Sequence, residues 1–216
     1  MPRRVMPNAG VTLQIVPVTA ERWGDLERLF GPNGACAGCW CMWWRVTAGE
    51  FNVGKGAPNR DALAGLVEEG EPPGLLAYRD GAPVGWLAIA PREDYPRWAK
   101  TRAAKTSDRV LGERGIDPTD EGAVWAATCF YVARGARKQG VTVALLEEGV
   151  QFAGKHGARV VEGFPLVPRT AAVPAAFAWT GFLNAFLKAG FEEVGAPSAG
   201  KRVVHRYLGV RGSAAR

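Results

Sequence analysis

Residues Arg137-Lys138-Gln139-Gly140 place two cations, an amide and a glycine in one short loop. They lie between an apolar run, Val124 to Val132, and a segment, Val141 to Lys155, whose apolar residues 141, 145, 146, 150 and 153 recur at helical spacing. The run is rich in β-branched and aromatic types, as suits a strand buried on both faces. A helix begins with backbone N–H groups that lack intrahelical partners, and its dipole is positive there. A basic loop whose glycine permits close backbone approach can wrap that end around a phosphate or pyrophosphate. The competing reading is an ordinary strand–turn–helix with a solvated basic loop.

Glu162 is the one carboxylate inside the otherwise apolar stretch Ala158–Leu166, which reads as a strand. An apolar setting raises a carboxylate's pKa toward neutrality and suits it to general-base work. The alternative is a structural ion pair with a nearby arginine. Asp120 and Glu121, just before the central run, are the other base candidates. Such a base matters wherever an amine must attack as a nucleophile, because an ammonium with pKa near 10.4 is only ~0.04% neutral at pH 7. His205 alternates with Val203 and Tyr207 and reads as structural, and His156 as a helix-end residue that compensates the dipole.

The segment Gly38-Cys39-Trp40-Cys41-Met42-Trp43-Trp44-Arg45 is the third chemically loaded stretch. With Cys36 it holds three cysteines in six residues, and Cys129 is a possible fourth ligand. The C-x2-C-x-C spacing departs from paired zinc knuckles, both histidines are distant in sequence, and a reducing cytosol disfavours a disulfide. No metal is expected. Cysteines packed among tryptophans are the plain reading. Four large side chains so close together cannot all be exposed cheaply, so part of this stretch belongs to a core and part to a pocket wall.

Tyr131-Val132-Ala133, Arg137-x-x-Gly140-x-Thr142 and the Leu145-Leu146 pair together resemble the acetyl-CoA signature of the GNAT superfamily of N-acetyltransferases. Thr142 stands where that signature has Gly or Ala. Phe186-Leu187-Lys188-Ala189-Gly190-Phe191 resembles the superfamily's late Tyr-x-x-x-Gly-Phe element, with Phe186 in the tyrosine's place. The Cys-Trp-Cys-Met-Trp-Trp-Arg segment is similar to one found in a bacterial GNAT subgroup. The resemblance implies acetyl-CoA as acyl donor. It implies that Arg137, Lys138, Gln139, Gly140, Val141 and Thr142 hold its phosphates, and that peptide groups of Phe130, Tyr131 and Val132 serve its thioester, with Phe186 nearby. It also implies that Trp40, Trp43, Trp44 and Arg45 border the acceptor, Arg45 as carboxylate partner or structural ion pair. Phe186 cannot donate a proton, so Tyr131, Tyr207 or Cys129 is left to protonate the leaving thiolate, or no protein acid is used. The expected reaction is direct acetyl transfer from acetyl-CoA to a primary amine of a small molecule. The rivals are a non-catalytic acyl-CoA sensor on the same fold and a cysteine-based metal or redox protein.

The elements that must position these groups follow from local patterns. Val11–Val18 reads as a strand, Ala20–Phe30 as a helix with an apolar stripe, and Val46–Pro58 as a mobile loop. Pro58–Glu69 reads as a second helix. Leu75–Tyr78 and Val84–Ala90 form a hairpin about Asp80-Gly81. Residues 91–121 read as an irregular lid or insert, 170–178 as a loop, and Gly181–Ala189 as a helix. Phe191–Val194 and Arg202–Leu208 close the chain as an antiparallel pair. The expected fold is a GNAT-like α/β (α+β) architecture. It has a mixed, mostly antiparallel sheet of six or seven strands flanked by about four helices. Residues 11–210 form one domain, 1–10 a disordered leader and 211–216 a tail.

The chain has 216 residues and a net charge of +6. That charge suits an anionic partner such as CoA, but the basic residues are interleaved with acids rather than striped, which argues against nucleic acid. No apolar run approaches the ~18–20 residues that span a bilayer, and no secretory signal is visible, so a cytoplasmic monomer or homodimer is expected.

Overall fold

The computed structural model describes residues 13–168, 173, 174 and 177–209. The expected leader and tail, and most of the 170–178 loop, lie outside the described residues. Seven strands form one sheet in the order β1-β2-β3-β4-β5-β7-β6. They are β1 (Leu13–Pro17), β2 (Gly74–Arg79), β3 (Ala82–Pro91), β4 (Val124–Val132), β5 (Val160–Gly163), β6 (Glu192–Ser198) and β7 (Lys201–Tyr207). Only β4 and β5 run parallel; every other pair is antiparallel. Six α-helices accompany them among the described residues: α1 (Trp23–Phe30), α2 (Ala48–Val53), α3 (Ala57–Glu68), α4 (Arg102–Glu113), α5 (Val141–Lys155) and α6 (Leu183–Lys188).

The central strands are apolar throughout because helices cover both faces. On one face Leu75, Ala77, Leu87 and Ile89 pack under α5, whose Val141, Leu145, Leu146, Val150 and Ala153 are buried. On the other, Leu76, Trp86 and Ala88 meet Leu26, Leu29 and Phe30 of α1 and Leu63 and Val67 of α3. Each such side chain contributes about 1.5–3 kcal/mol on full burial, so α5 alone is anchored well beyond its intrinsic helix propensity.

Two expectations need correction. Residues 46–58 are not a loop: α2 starts there on a capping box, with Thr47 Oγ1 accepting from Glu50 N and Glu50 Oε2 accepting from Thr47 N. That Thr-x-x-Glu signal stands in the sequence, and Phe51 is buried beneath it. Residues 91–121 are not an irregular insert either. Thr101 caps α4, and Tyr95 and Trp98 are essentially unexposed. This segment covers the second face of the sheet at Ala126 and Val203. The helix count therefore exceeds the expected four.

Strand β4 carries the feature that shapes the site. Its pairing with β3 slips between Ala88 and Ile89, leaving Thr128 as an extra, bulged residue. Ahead of the bulge Ala127 faces α5, and beyond it Phe130 does. Pairing with β5 ends at the same level, Ala127 opposite Gly163, so β5 leaves β4 there and a gap opens beside residues 128–132.

Candidate active site

The basic loop stands on the α5 side of this gap. Residues 134–136 make a short 3-10 turn, and Lys138 and Gly140 then take left-handed φ of 60° and 82°. Gly140 is the N-cap of α5 and has no side chain to cap it, so the first-turn amides of this fifteen-residue helix are open to an incoming acceptor. A Cβ at Gly140 would meet no protein atom within 4 Å, so the space in front of the helix is clear. Arg137, Lys138 and Gln139 are exposed around it. Arg137 Nε donates to the Val132 carbonyl at 3.0 Å, tying the loop to the end of β4, and Arg79 donates to Gln139 Oε1. Val141 is buried under the helix and Thr142 half-buried in its first turn. This geometry fits a pyrophosphate: uncapped amides, the positive dipole end and exposed cations border one clear space.

On β4, Ala133 N–H donates to Val84 of β3, so strand alternation turns the peptide groups of Phe130 and Val132 toward the gap. The Phe130 N–H does not stand free there. It donates to the Trp179 carbonyl at 2.7 Å. The strap 177–182 that carries Trp179 is in turn pinned along residue 166, with Leu166 N donating to Gly181 O and Leu183 N to Leu166 O.

The expected acceptor wall divides into three. Trp40 is core, only 5% exposed between Trp23 and Phe30. Arg45 lies over Tyr95 and forms an ion pair with Asp94 at 3.2 Å, so of its two expected roles it fills the structural one. Trp43 and Trp44 form an aromatic cluster with the strap: they contact each other and both face Trp179, at centroid distances of 6.0 and 5.8 Å. Trp98, itself against Phe164, closes the back of Trp44. Arg97 stacks over Trp43 at 4.0 Å and donates to its carbonyl. Sequence reasoning missed Trp179, Arg97, Phe164 and Lys201. The available signals were lone large or charged residues: Arg97 in the stretch read as irregular, Phe164 in one read as a strand, and Trp179 and Lys201 at the edges of the expected elements.

Glu162 points away from the gap, behind Trp98. It is 0% exposed and accepts from Trp98 Nε1 and Ser107 Oγ, with the Arg92 guanidinium 3.3 Å away. Burial raises its pKa, while Arg92, Ser107 and Trp98 pull it back down. Ser107 Oγ also meets His205 Nε2 at 2.7 Å, and His205 Nδ1 meets the Tyr207 hydroxyl at 2.8 Å. Burial and the nearby Arg114 and Arg92 lower the His205 pKa to about 4, so this ring is neutral. The group read as a base is thus a fully occupied buried acceptor that fixes Trp98. The alternatives fare no better by position: Asp120 and Glu121 precede the start of β4, roughly 20 Å along the strand from Phe130.

The residues considered for the acid are also placed. The Phe186 ring is 0% exposed between Phe130 and Phe191, within the core. Tyr131 is half-buried against Phe30. Tyr207 is engaged by His205. Cys129 Sγ lies 3.2 Å from Cys41 Sγ, which also accepts from Trp86 Nε1. Cys36 is exposed and stands apart, and among the described residues no set of three His, Cys, Asp or Glu is arranged to hold a metal. His156 ends α5, with Nδ1 bonded to the Phe152 carbonyl.

Residues 40–176 match the acetyltransferase (GNAT) family. The chain belongs to that family of N-acetyltransferases. Its fold is shared with a mosquito arylalkylamine N-acetyltransferase-like protein (TM-score 0.54, 11% identity, 91% of this chain and 100% of that one). An N-acetyltransferase from Staphylococcus aureus Mu50 aligns at TM-score 0.51 and 12% identity, over 91% and 98% of the two chains. An agmatine N-acetyltransferase aligns at TM-score 0.51 and 12% identity, over 91% and 100%. No curated protein matches the sequence. Among the described residues no helix is long and apolar enough to cross a membrane.

Proposed function

We propose that this protein moves the acetyl group of acetyl-CoA to a primary amine of a small molecule by direct attack in a ternary complex. The observation that carries the reading is the juxtaposition at the bulged end of β4: an uncapped, basic helix start on one side and the Trp43–Trp44–Trp179 wall on the other. Arg137, Lys138, Gln139, Gly140 and Thr142 hold the donor's phosphates. The gap-facing peptide group of Val132 receives its amide-bearing arm, and the acceptor lies along the tryptophans. A planar, apolar acceptor body fits that wall, and arylalkylamines, for which a protein of the same fold is named, have one. With Phe186 in the core, no side chain at that position protonates the departing thiolate. A thiol of pKa near 8.5 is already a fair leaving group.

A second reading, an acyl-CoA sensor without turnover, is favoured by one observation: the Trp179 carbonyl occupies the Phe130 N–H. The test is calorimetric titration with acetyl-CoA, followed by thiol release across a panel of small amines. Micromolar binding that is lost in Arg137→Ala and in Gly140→Trp supports the donor site. The second change fills the clear space before the helix, and because Gly140 holds a φ of 82° it also strains the loop. Arg137→Ala, which leaves the backbone as it is, therefore decides the outcome, and a thermal melt accompanies Gly140→Trp. Thiol release with an amine supports transfer, and binding with no release from any amine supports the sensor. No binding by the wild type rejects both.

A further inference from the structure

Lys201 opens β7 beside the gap. Like Arg97 over Trp43 it has no carboxylate partner among the described residues, but of the two it is Lys201 that donates to the strap. Its ammonium lies over the rings of Phe164 and Trp179, at 5.4 and 6.0 Å, and donates to Thr180 Oγ1 at 2.6 Å. Arg45, Arg92, Arg114 and Arg202 each have a carboxylate within 4.0 Å, but among the described residues Lys201 has none. Burial without an acid lowers its pKa to about 8. A half-buried charge facing aromatic rings with no counter-ion is a costly arrangement unless an anion completes it. The strap places that charge next to the reactive edge: Trp179 holds the Phe130 N–H through its carbonyl, and the next residue, Thr180, holds Lys201 through its hydroxyl. A second donor is unfulfilled in the same aromatic cluster, since Trp44 Nε1 is buried and has no hydrogen-bond partner.

We propose that the acceptor is an amine carrying both a planar apolar body and a carboxylate, an aromatic amino acid in chemical class, with Lys201 as the residue that selects its carboxylate. This deepens the transferase reading and rests on it. The tryptophan wall takes the ring, Lys201 pairs the carboxylate, and the amine next to that carboxylate is thereby turned toward β4. A cation at a fixed point discriminates strongly for this group, because an acceptor lacking the anion leaves the ammonium buried and unpaired.

The experiment compares phenylalanine with phenethylamine, and tryptophan with tryptamine, at saturating acetyl-CoA in wild type, Lys201→Met and Lys201→Arg. The expected result is a kcat/KM at least tenfold higher for the carboxylated member of each pair in the wild type. In Lys201→Met that ratio falls at least tenfold, through KM more than kcat, and Lys201→Arg restores part of it. A wild type that prefers the decarboxylated amines, or a ratio unmoved by Lys201→Met, overturns the proposal. Titration with N-acetylphenylalanine and with N-acetylphenethylamine, read by intrinsic tryptophan fluorescence, keeps the carboxylate site testable if no amine turns over. Saturable binding of the carboxylated compound alone, lost in Lys201→Met, upholds the anion site while the transferase reading fails. Absence of that binding together with absence of turnover overturns both.

Discussion

The Trp179 carbonyl lies 2.7 Å from the Phe130 nitrogen, so the strap supplies the β4 edge with the partner that β5 ceases to provide after Gly163. The Trp179 ring holds the strap by packing on Trp43 and Trp44. Aromatic pairs of this kind are worth about 0.5–1.5 kcal/mol each beyond their burial. Trp179→Ala therefore loosens the strap, and amide exchange at Phe130 accelerates roughly tenfold or more while exchange in α5 stays as in the wild type. Hydrogen-exchange mass spectrometry reads both. An unchanged Phe130 amide would mean that the Leu166–Gly181 and Leu183–Leu166 backbone bonds alone hold the strap.

Glu162 separates a structural from a chemical role. Replacing it with Gln leaves Arg92 with Asp108 as its remaining carboxylate and weakens the bonds from Trp98 and Ser107. Breaking a buried charge pair costs about 3–5 kcal/mol, and the surviving Asp108 contact keeps Glu162→Gln at the lower end. The expected outcome is a urea midpoint reduced accordingly and an unshifted pH–rate profile in whatever protein remains folded. Unaltered stability with kcat down a hundredfold or more and a lost acid limb would make Glu162 the base after all.

His205 gives the acid branch of stability its sign. The folded state holds the ring near pKa 4, below the ordinary value of 6.5, so between these values the unfolded chain binds a proton that the folded chain refuses. Stability therefore falls as pH drops from about 6.5 toward 4, by up to about 3 kcal/mol for a ring that is wholly buried. Glu162, whose pKa is raised, acts in the opposite sense as pH drops. His205→Gln keeps a polar group for Ser107 but removes the titration. Urea melts from pH 7 to 4.5 should show a shallower decline for the variant than for the wild type.

What was legible in the sequence, and what was not, follows from the range of the interactions. The β4–loop–α5 unit could be read directly because a nine-residue apolar run, a glycine at a left-handed N-cap and a helical stripe are all local patterns. The capping box at Thr47 and Glu50 was equally local and was overlooked under three nearby glycines. The roles of Trp40, Arg45 and Glu162 were not legible, because each depends on a partner far along the chain. Phe30, Asp94 and Trp98 decide whether those side chains face a ligand or the core. Trp179 and Lys201 were hidden for the same reason: the strap acquires its meaning only where β5 leaves β4, and no spacing in the sequence announces that departure.

The cysteines offer a test of how the Gly38–Arg45 stretch is packed. Trp40 and Cys41 both hold left-handed φ, 41° and 53°, a conformation that ordinary residues adopt only when surrounding contacts enforce it. Cys41 is buried, accepts from Trp86 Nε1 and lies 3.2 Å from Cys129 Sγ. The hydrogen bond to Cys129 and burial push the Cys41 thiol pKa up, and the bond to Cys41 together with burial does the same for Cys39. The thiolate is the nucleophile, so both side chains should be inert in the folded protein. Brief treatment of native protein with iodoacetamide should alkylate exposed Cys36 first and leave Cys39 and Cys41 unmodified, while denatured protein should take label at all four cysteines. Peptide mapping reads the order. Early labelling of Cys41 would show that the left-handed turn opens readily, and the tryptophan wall that follows it in sequence would then lack the rigid base the structure gives it.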